Sequence, residues 1–391
     1  MTPAALFTET EVREMIELRR DLHAHPETAF EEVRTAGIVA ERLQQLGLAV
    51  RTGVGKTGVL ATVEGGLPGR TVLLRADMDA LPIREENAVP YRSQNDGKMH
   101  ACGHDCHTSI LLALAKQLVR DRASLGGQVK LCFQPAEEQG GGALAMIDDG
   151  ALEDPKPDAA FGLHVWQDLD LAKIGITPGA FMAAVDEFEV TLHGRGAHAA
   201  QPHLAIDPVL ALAHAVTALQ SIASRNTNPF QAVVVSVTQL DAGTAFNIIP
   251  GAATMNGTVR VFDDGVWNEL PARFETIVRG VAEAYGCRAD IRYQRHNRAT
   301  VNDPAMAALA REAAVEVVGQ DNVVQDLMTM GGEDFSWFLN RVPGCFIAVG
   351  SRNESRGLVY GHHHPRFDVD EHCLGIGAEV LLRTARKFLE R

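Results

Sequence analysis

The chain has 391 residues, 46% of them hydrophobic and 22% charged, the balance of a globular protein long enough for two domains. Its formal net charge of −14 argues against nucleic acid and anionic membrane as partners, since both call for a basic face. No uninterrupted apolar run reaches the roughly 18 residues of a membrane span, and the six cysteines are too scattered for a disulfide framework, which points to a reducing cytoplasm.

The stretch from Met1 to Glu9 has neither a basic region nor an apolar one, so no signal peptide is expected. Residues 9–23 read as a helix, with Thr10 placed to cap it and Val12, Met15, Ile16, Leu18 and Leu22 at helical spacing. Pro26 disfavours helix at His25 and ends it. A second amphipathic helix is expected over 31–46, closed by Gly47. Strands follow at 49–51 and 58–64, and Gly65-Gly66-Leu67-Pro68-Gly69 reads as a turn.

A buried strand from Thr71 then runs straight into Asp77 and Asp79. Carboxylates just past the C-terminal end of a strand stand where α/β proteins build their sites; the plainer role for Asp77 is to cap the next turn. A polar loop over 83–98 leads to Met99-His100-Ala101-Cys102-Gly103-His104-Asp105-Cys106-His107. Gly103 lets Cys102 and His104 turn toward one ion. Thiolate, imidazole and carboxylate together suit Zn²⁺ or a neighbour such as Co²⁺, Ni²⁺ or Mn²⁺. An apolar helix is expected from Thr108 to Leu118, so these residues lie near a helix N-terminus, where N–H groups favour a thiolate.

The strand over 128–134 ends in Pro135-Ala136-Glu137-Glu138, followed by Gly140 to Gly142. Adjacent glutamates are unfavourable unless a cation lies between them or one is neutral. A division of labour resolves this, with one carboxylate on metal and the other moving protons. A helix over 143–149 follows. The strand over 159–166 carries His164 near its end, repeating the strand-end pattern.

After Gly175 to Gly179 the style changes. Strands near 186–194, 232–240, 256–262 and 289–293 alternate with helices at 208–223 and 268–285, a β-α-β-β-α-β order that reads as a ferredoxin-like α+β insert. The first style then returns, with a helix over 305–318, a Gly-rich turn at 330–338 and a strand over 344–350. Gly361-His362-His363-His364-Pro365 and a final helix over 370–389 complete the chain. The expected domains are residues 1–180 with 294–391, and the insert 181–293.

Cys102 with His104, Glu138, His164 and one of the late histidines come from separate loops, as in a catalytic metal site assembled at strand ends rather than in a local zinc finger. Two metals there would share a water and polarise a carbonyl, with Glu137 passing a proton from the water to the leaving nitrogen. There is no Gly-x-Ser-x-Gly elbow, no His-Glu-x-x-His helix, and no complete P-loop pattern.

The motifs Arg75-Ala76-Asp77-Met78-Asp79-Ala80-Leu81-Pro82, Met99 to His107, Gln134-Pro135-Ala136-Glu137-Glu138, Gly194 to His203, Asn247-Ile248-Ile249-Pro250 and Gly331-Gly332-Glu333-Asp334-Phe335 stand in the order of the M20 metallopeptidases. Over nearly its whole length the chain resembles that family's amidohydrolase subgroup of hippurate, N-acyl-amino-acid and plant auxin-conjugate hydrolases. The resemblance implies an α/β di-metal aminopeptidase-like catalytic domain, with the insert as lid and dimerisation domain and two divalent ions, Mn²⁺, Zn²⁺, Co²⁺ or Ni²⁺. It implies the ligands Cys102, His104, Glu138, His164 and, by register to Pro365, His363, with His362 or His364 as alternatives. Glu137 matches the general base, Asp79 an orienting carboxylate, and His198 an insert histidine that in dimeric relatives reaches the partner's site and contacts the substrate or oxyanion. Asn247 and Arg260 match positions for a substrate carboxylate, and Gly331 and Gly332 the acyl side. The implied reaction is hydrolysis of a small N-acyl amino acid by a homodimer or homotetramer. The rivals are an N-acetyl-diaminopimelate or N-acetylcysteine deacetylase, a dipeptidase or aminopeptidase, and, outside enzymes, a metal-storing or ligand-binding protein.

Overall fold

A computed structural model describes residues 5–391; the first four residues of the stretch read for a signal peptide lie outside them. Among the described residues no helix is long and apolar enough to cross a membrane. The chain forms two compact units, one of residues up to 181 with 301–328 and 334–391, the other of residues 182–300 with 329–333.

The first unit is built on an eight-stranded sheet in the order Val50–Val54, Gly58–Glu64, Gly126–Gln134, Leu67–Asp77, Ala159–Asp170, Gly344–Arg352, Ile174–Gly175, Val323–Val324. Its four central strands are mutually parallel. Runs such as Val72-Leu73-Leu74 and Phe346-Ile347-Ala348-Val349 are fully buried, the signature of parallel strands covered on both faces. The helices Glu9–Ala24, His104–Arg120, Pro304–Val318 and His372–Leu389 pack against one another, and the last lies against the central strands. Pairing in register sets Asp77 beside Gln134, Arg75 beside Gly162 and His164 beside Ala348, so the C-terminal ends of these strands share one edge of the sheet.

Three local details differ from the sequence reading. The first helix is capped by Thr8, not Thr10: Thr8 Oγ1 accepts the Glu11 N–H and Glu11 accepts the Thr8 N–H, a capping box. The strand before Asp77 begins at Leu67, inside the expected turn, because Gly69 lets the backbone come close to Gly127; a Cβ at Gly69 would stand 2.6 Å from the Gly127 nitrogen. The third helix begins at His104, four residues early. Its polar first turn hides the period, although His104, His107 and Leu111 share a buried face.

The second unit is an antiparallel sheet ordered Val233–Ala242, Ala252–Val261, Ala184–His193, Arg288–Asn297, with helices Pro208–Leu219 and Asp264–Ala284 packed on each other and on the sheet. This is the ferredoxin-like arrangement. The longer helix buries Trp267, Leu270, Phe274 and Val278 at helical spacing, each large side chain contributing roughly 1.5–3 kcal/mol. Asp263 caps it on the Val266 N–H, and Asp207 caps the other.

Candidate metal centre

The centre lies on the strand-end edge of the first unit. Gly103 caps the helix that begins at His104 and has φ of 91°, a left-handed conformation open to glycine. A Cβ there would stand 2.3 Å from Val165 Cγ2, so both backbone conformation and space call for glycine. This tight seat delivers Cys102 and His104 to the end of the strand that carries His164, where Cys102 Sγ lies 3.4 Å from His164 Nε2.

The Val165 peptide organises three histidines. Its N–H donates to His107 Nε2 at 2.9 Å, which leaves His107 Nδ1 as the donor to Asp77 Oδ1 at 2.5 Å. Its carbonyl accepts from His164 Nδ1 at 2.6 Å and from His362 Nε2 at 2.9 Å. His164 therefore presents Nε2 toward Cys102, with its ring held edge-on by Trp166 and Phe346. Outer partners that fix imidazole orientation are a recurrent feature of metal sites.

Asp79 orients two more groups. Its Oδ1 accepts from His104 Nδ1 at 3.1 Å, and its Oδ2 accepts the Glu138 N–H at 3.1 Å. His104 Nε2 and Glu138 Oε1 then face each other at 4.0 Å, both buried and both without a hydrogen-bond partner. Two orphaned buried atoms converging on one point carry a cost that a shared cation removes. Glu138 Oε2 lies 3.3 Å from His363 Nε2. His363 has φ of 64° and its N–H donates to Ala101 at 2.8 Å, which turns its ring to Glu138. Of the three late histidines only His363 enters the donor cluster. His362 is spent on the Val165 carbonyl, and His364 accepts the Arg366 N–H and stacks on Tyr360.

Several donor groups overlap here, among them Cys102 with His104 and His164, Cys102 with Glu138 and His363, His104 with Glu137 and Glu138, and Asp77 with His104 and His107. Electrostatics point the same way. Burial alone would lower the His104 pKa, but Asp77, Asp79 and Glu138 outweigh it and push it up to about 10. Burial and then Glu138 and Glu137 drive the Cys102 thiol well above its ordinary value. A pocket that resists a thiolate and holds a proton on an imidazole has more negative charge than its own cations balance. The residues present therefore fit divalent cations.

Behind this cluster lies a salt-bridge network that sequence reasoning missed. Arg75, fully buried, donates to Asp77 Oδ2 at 2.5 Å, Gln134 Oε1 at 2.9 Å and Asp334 Oδ1 at 3.1 Å. Asp334 also accepts the Ala143 N–H, and its own N–H reaches Glu137 Oε1 at 3.3 Å. The only sequence signal was the i, i+2 spacing of Arg75 and Asp77 on one strand face.

The other expected site residues belong to the second unit. His198 is exposed on a short strand paired with Ile248, and the Asn247 carbonyl accepts the N–H of Ala199. Arg260, half-buried, donates to Thr258 Oγ1 at 3.1 Å and to the Met330 carbonyl at 3.4 Å, just before Gly331 and Gly332. A Cβ at Gly332 would stand 2.2 Å from Val185, so glycine is required there. The unit thus gathers its expected residues into two groups of neighbours, His198 with Asn247 and Arg260 with the two glycines.

The model of peptidase family M20/M25/M40 matches residues 73–387. A Bacillus subtilis protein named as an amidohydrolase, YhaA, is 43% identical over 95% of this chain and 94% of its own length. The N-acetyl-L-cysteine deacetylase of the same organism is 38% identical over 97% of this chain and 89% of its own. The solved structure of Bacillus subtilis YXEP, described as a dinuclear metal binding peptidase from the M20 family, superposes with a TM-score of 0.85 at 34% identity, covering 98% of this chain and 99% of that one.

Proposed function

The chain belongs to peptidase family M20/M25/M40, and from that premise we propose that it is a metal-dependent amidohydrolase that splits N-acyl amino acids into a carboxylic acid and a free amino acid. The observation that carries this reading is that Glu137 shares one donor group with His104 and Glu138. On this reading Glu137 is a proton carrier beside a cation-binding cluster. Support for the substrate class comes from the N-acetyl-L-cysteine deacetylase, which matches nearly the full length of the chain.

Cys102, His104, Glu138, His164 and His363 would hold two divalent ions, as in the dinuclear relative, with Cys102 common to two donor groups. The bound ions would supply Lewis acidity to the scissile carbonyl and lower the pKa of the attacking water. Glu137 takes that water's proton at its carboxylate and hands it to the leaving nitrogen, which must be protonated before it departs as an amine. The Asp334 N–H on Glu137 Oε1 holds the carboxylate during this exchange. Asp79 keeps the His104 ring and the Glu138 backbone in place. In the second unit, Arg260 and Asn247 are the groups suited to a substrate carboxylate, and His198 to a developing oxyanion.

The test is a substrate panel on metal-loaded protein: N-acetyl-L-cysteine, N-acetyl-L-methionine, hippurate and several dipeptides. Release of free amino acid from the acylated compounds, with dipeptides far slower, is the expected result. Cleavage of dipeptides alone would place the chain with the peptidases and overturn the substrate assignment.

A further inference from the structure

The segment 27–32, between the first two helices, touches two of the loops that build the centre. The Glu27 carbonyl accepts the Ala80 N–H at 2.8 Å, one residue beyond Asp79. Glu32 is fully buried and reaches the other loop. Its Oε1 accepts the N–H of Ala136 at 2.9 Å and of Phe30 at 3.0 Å, and its Oε2 accepts the Thr57 hydroxyl at 2.5 Å. All three partners donate, which suits a carboxylate acting as acceptor only.

Ala136 directly precedes Glu137 and Glu138, and its φ is 51°. An alanine adopts this left-handed conformation only at a cost, and such strain persists where the surroundings over-determine it. Here the hold is two-sided: Glu32 takes the Ala136 N–H, and the Ala136 carbonyl accepts the Gly142 N–H at 3.2 Å. Gly142 has no room for anything larger, since a Cβ there would stand 1.6 Å from the Pro135 carbonyl oxygen. Relaxation of Ala136 to negative φ would swing both glutamates away from the donor cluster.

We infer that Glu32 is a positioning residue, which clamps the left-handed turn at Ala136 and so aims Glu137 for proton transfer. The inference rests on the reading of Glu137 as proton carrier. A misplacement of about 1 Å at a reacting centre costs on the order of a hundredfold in rate.

Glycine adopts positive φ freely, so Ala136→Gly removes the need for a clamp. The experiment measures kcat, KM and bound metal for Glu32→Ala, Glu32→Gln and the double variant Glu32→Ala/Ala136→Gly, using N-acetyl-L-cysteine. Glu32→Ala is expected to lower kcat by about tenfold or more, with KM within about twofold and metal content held. Glu32→Gln loses less, because its amide oxygen still accepts the Ala136 N–H. The double variant recovers kcat several-fold over Glu32→Ala. If Glu32→Ala does not fold, the same recovery is expected on adding Ala136→Gly to Glu32→Gln. Absence of recovery, or a fall in kcat that only tracks lost metal, would overturn the inference. Glu137→Gln in the same assay separates the two ideas. Retained turnover there sinks the proton-carrier reading, whereas lost turnover without recovery in the double variant sinks the clamp alone.

Discussion

Glu137→Gln is expected to lower kcat by about 10²–10⁴ while the folded structure and bound metal stay as they are. Gln is nearly isosteric with Glu, and its side-chain oxygen still accepts the Asp334 N–H that holds Glu137 Oε1. What it loses is the capacity to take and return a proton. Glu138, one residue on, is committed elsewhere, with its oxygens facing His104 and His363. It therefore offers no substitute base. The check is steady-state turnover of an N-acyl amino acid with metal measured on the same sample. Turnover within about tenfold of the parent would show that the proton leaves by another route.

Arg75→Met carries the largest expected cost in stability. Arg75 is fully buried between Asp77 and Asp334, at 2.5 and 3.1 Å. Burial pushes the Asp77 carboxyl up, yet Arg75, His104 and His107 hold it well below the usual carboxylate range. Methionine keeps most of the volume but leaves two buried carboxylates without their cation, a loss of about 3–5 kcal/mol. The pH dependence has a definite sign. In the parent, the depressed Asp77 pKa stabilises the fold above the unfolded carboxylate pKa, and that contribution is lost as pH falls through the native value. In the variant, burial without Arg75 shifts the Asp77 pKa upward from its parent value. The folded state then binds protons more readily, and the variant regains stability as pH falls. Thermal melts of metal-free parent and variant between pH 8 and pH 5 should show a gap that narrows toward pH 5. Equal melting temperatures, or a gap that widens in acid, would contradict this account of the network.

Much of the architecture was legible because parallel strands announce themselves as apolar runs that end in chemistry. Asp77 and Asp79, Glu137 and Glu138, and His164 each follow or close such a run, and sheet register brings those ends to one edge. The ferredoxin-like unit was readable from alternation and element order. Other features depend on contacts across long separations that no local pattern records. Arg75 meets Asp334 across 259 positions, and Glu32 meets Ala136 across 104. The left-handed backbone at Ala136 and His363 breaks local preference in non-glycine residues, and both lie in the centre. Three consecutive histidines are alike in sequence. Register to Pro365 singled out His363, and in the structure His362 spends its ring on the Val165 carbonyl while His363 turns toward Glu138. The helix start at His104 was hidden because its first turn is polar yet buried, which is where a functional site departs from the usual pattern.

Hydrolysis of N-acyl amino acids on cations held by Cys102, His104, Glu138, His164 and His363 is the proposed activity. Its most direct test is titration of the metal-stripped protein with Mn²⁺ or Zn²⁺, following turnover of N-acetyl-L-cysteine and bound metal by elemental analysis, with Cys102→Ala in parallel. No turnover is expected without metal, then a rise that levels off near two equivalents per chain, and clearly reduced metal binding in Cys102→Ala. Full turnover by the metal-stripped protein, or unchanged metal stoichiometry in Cys102→Ala, would contradict it.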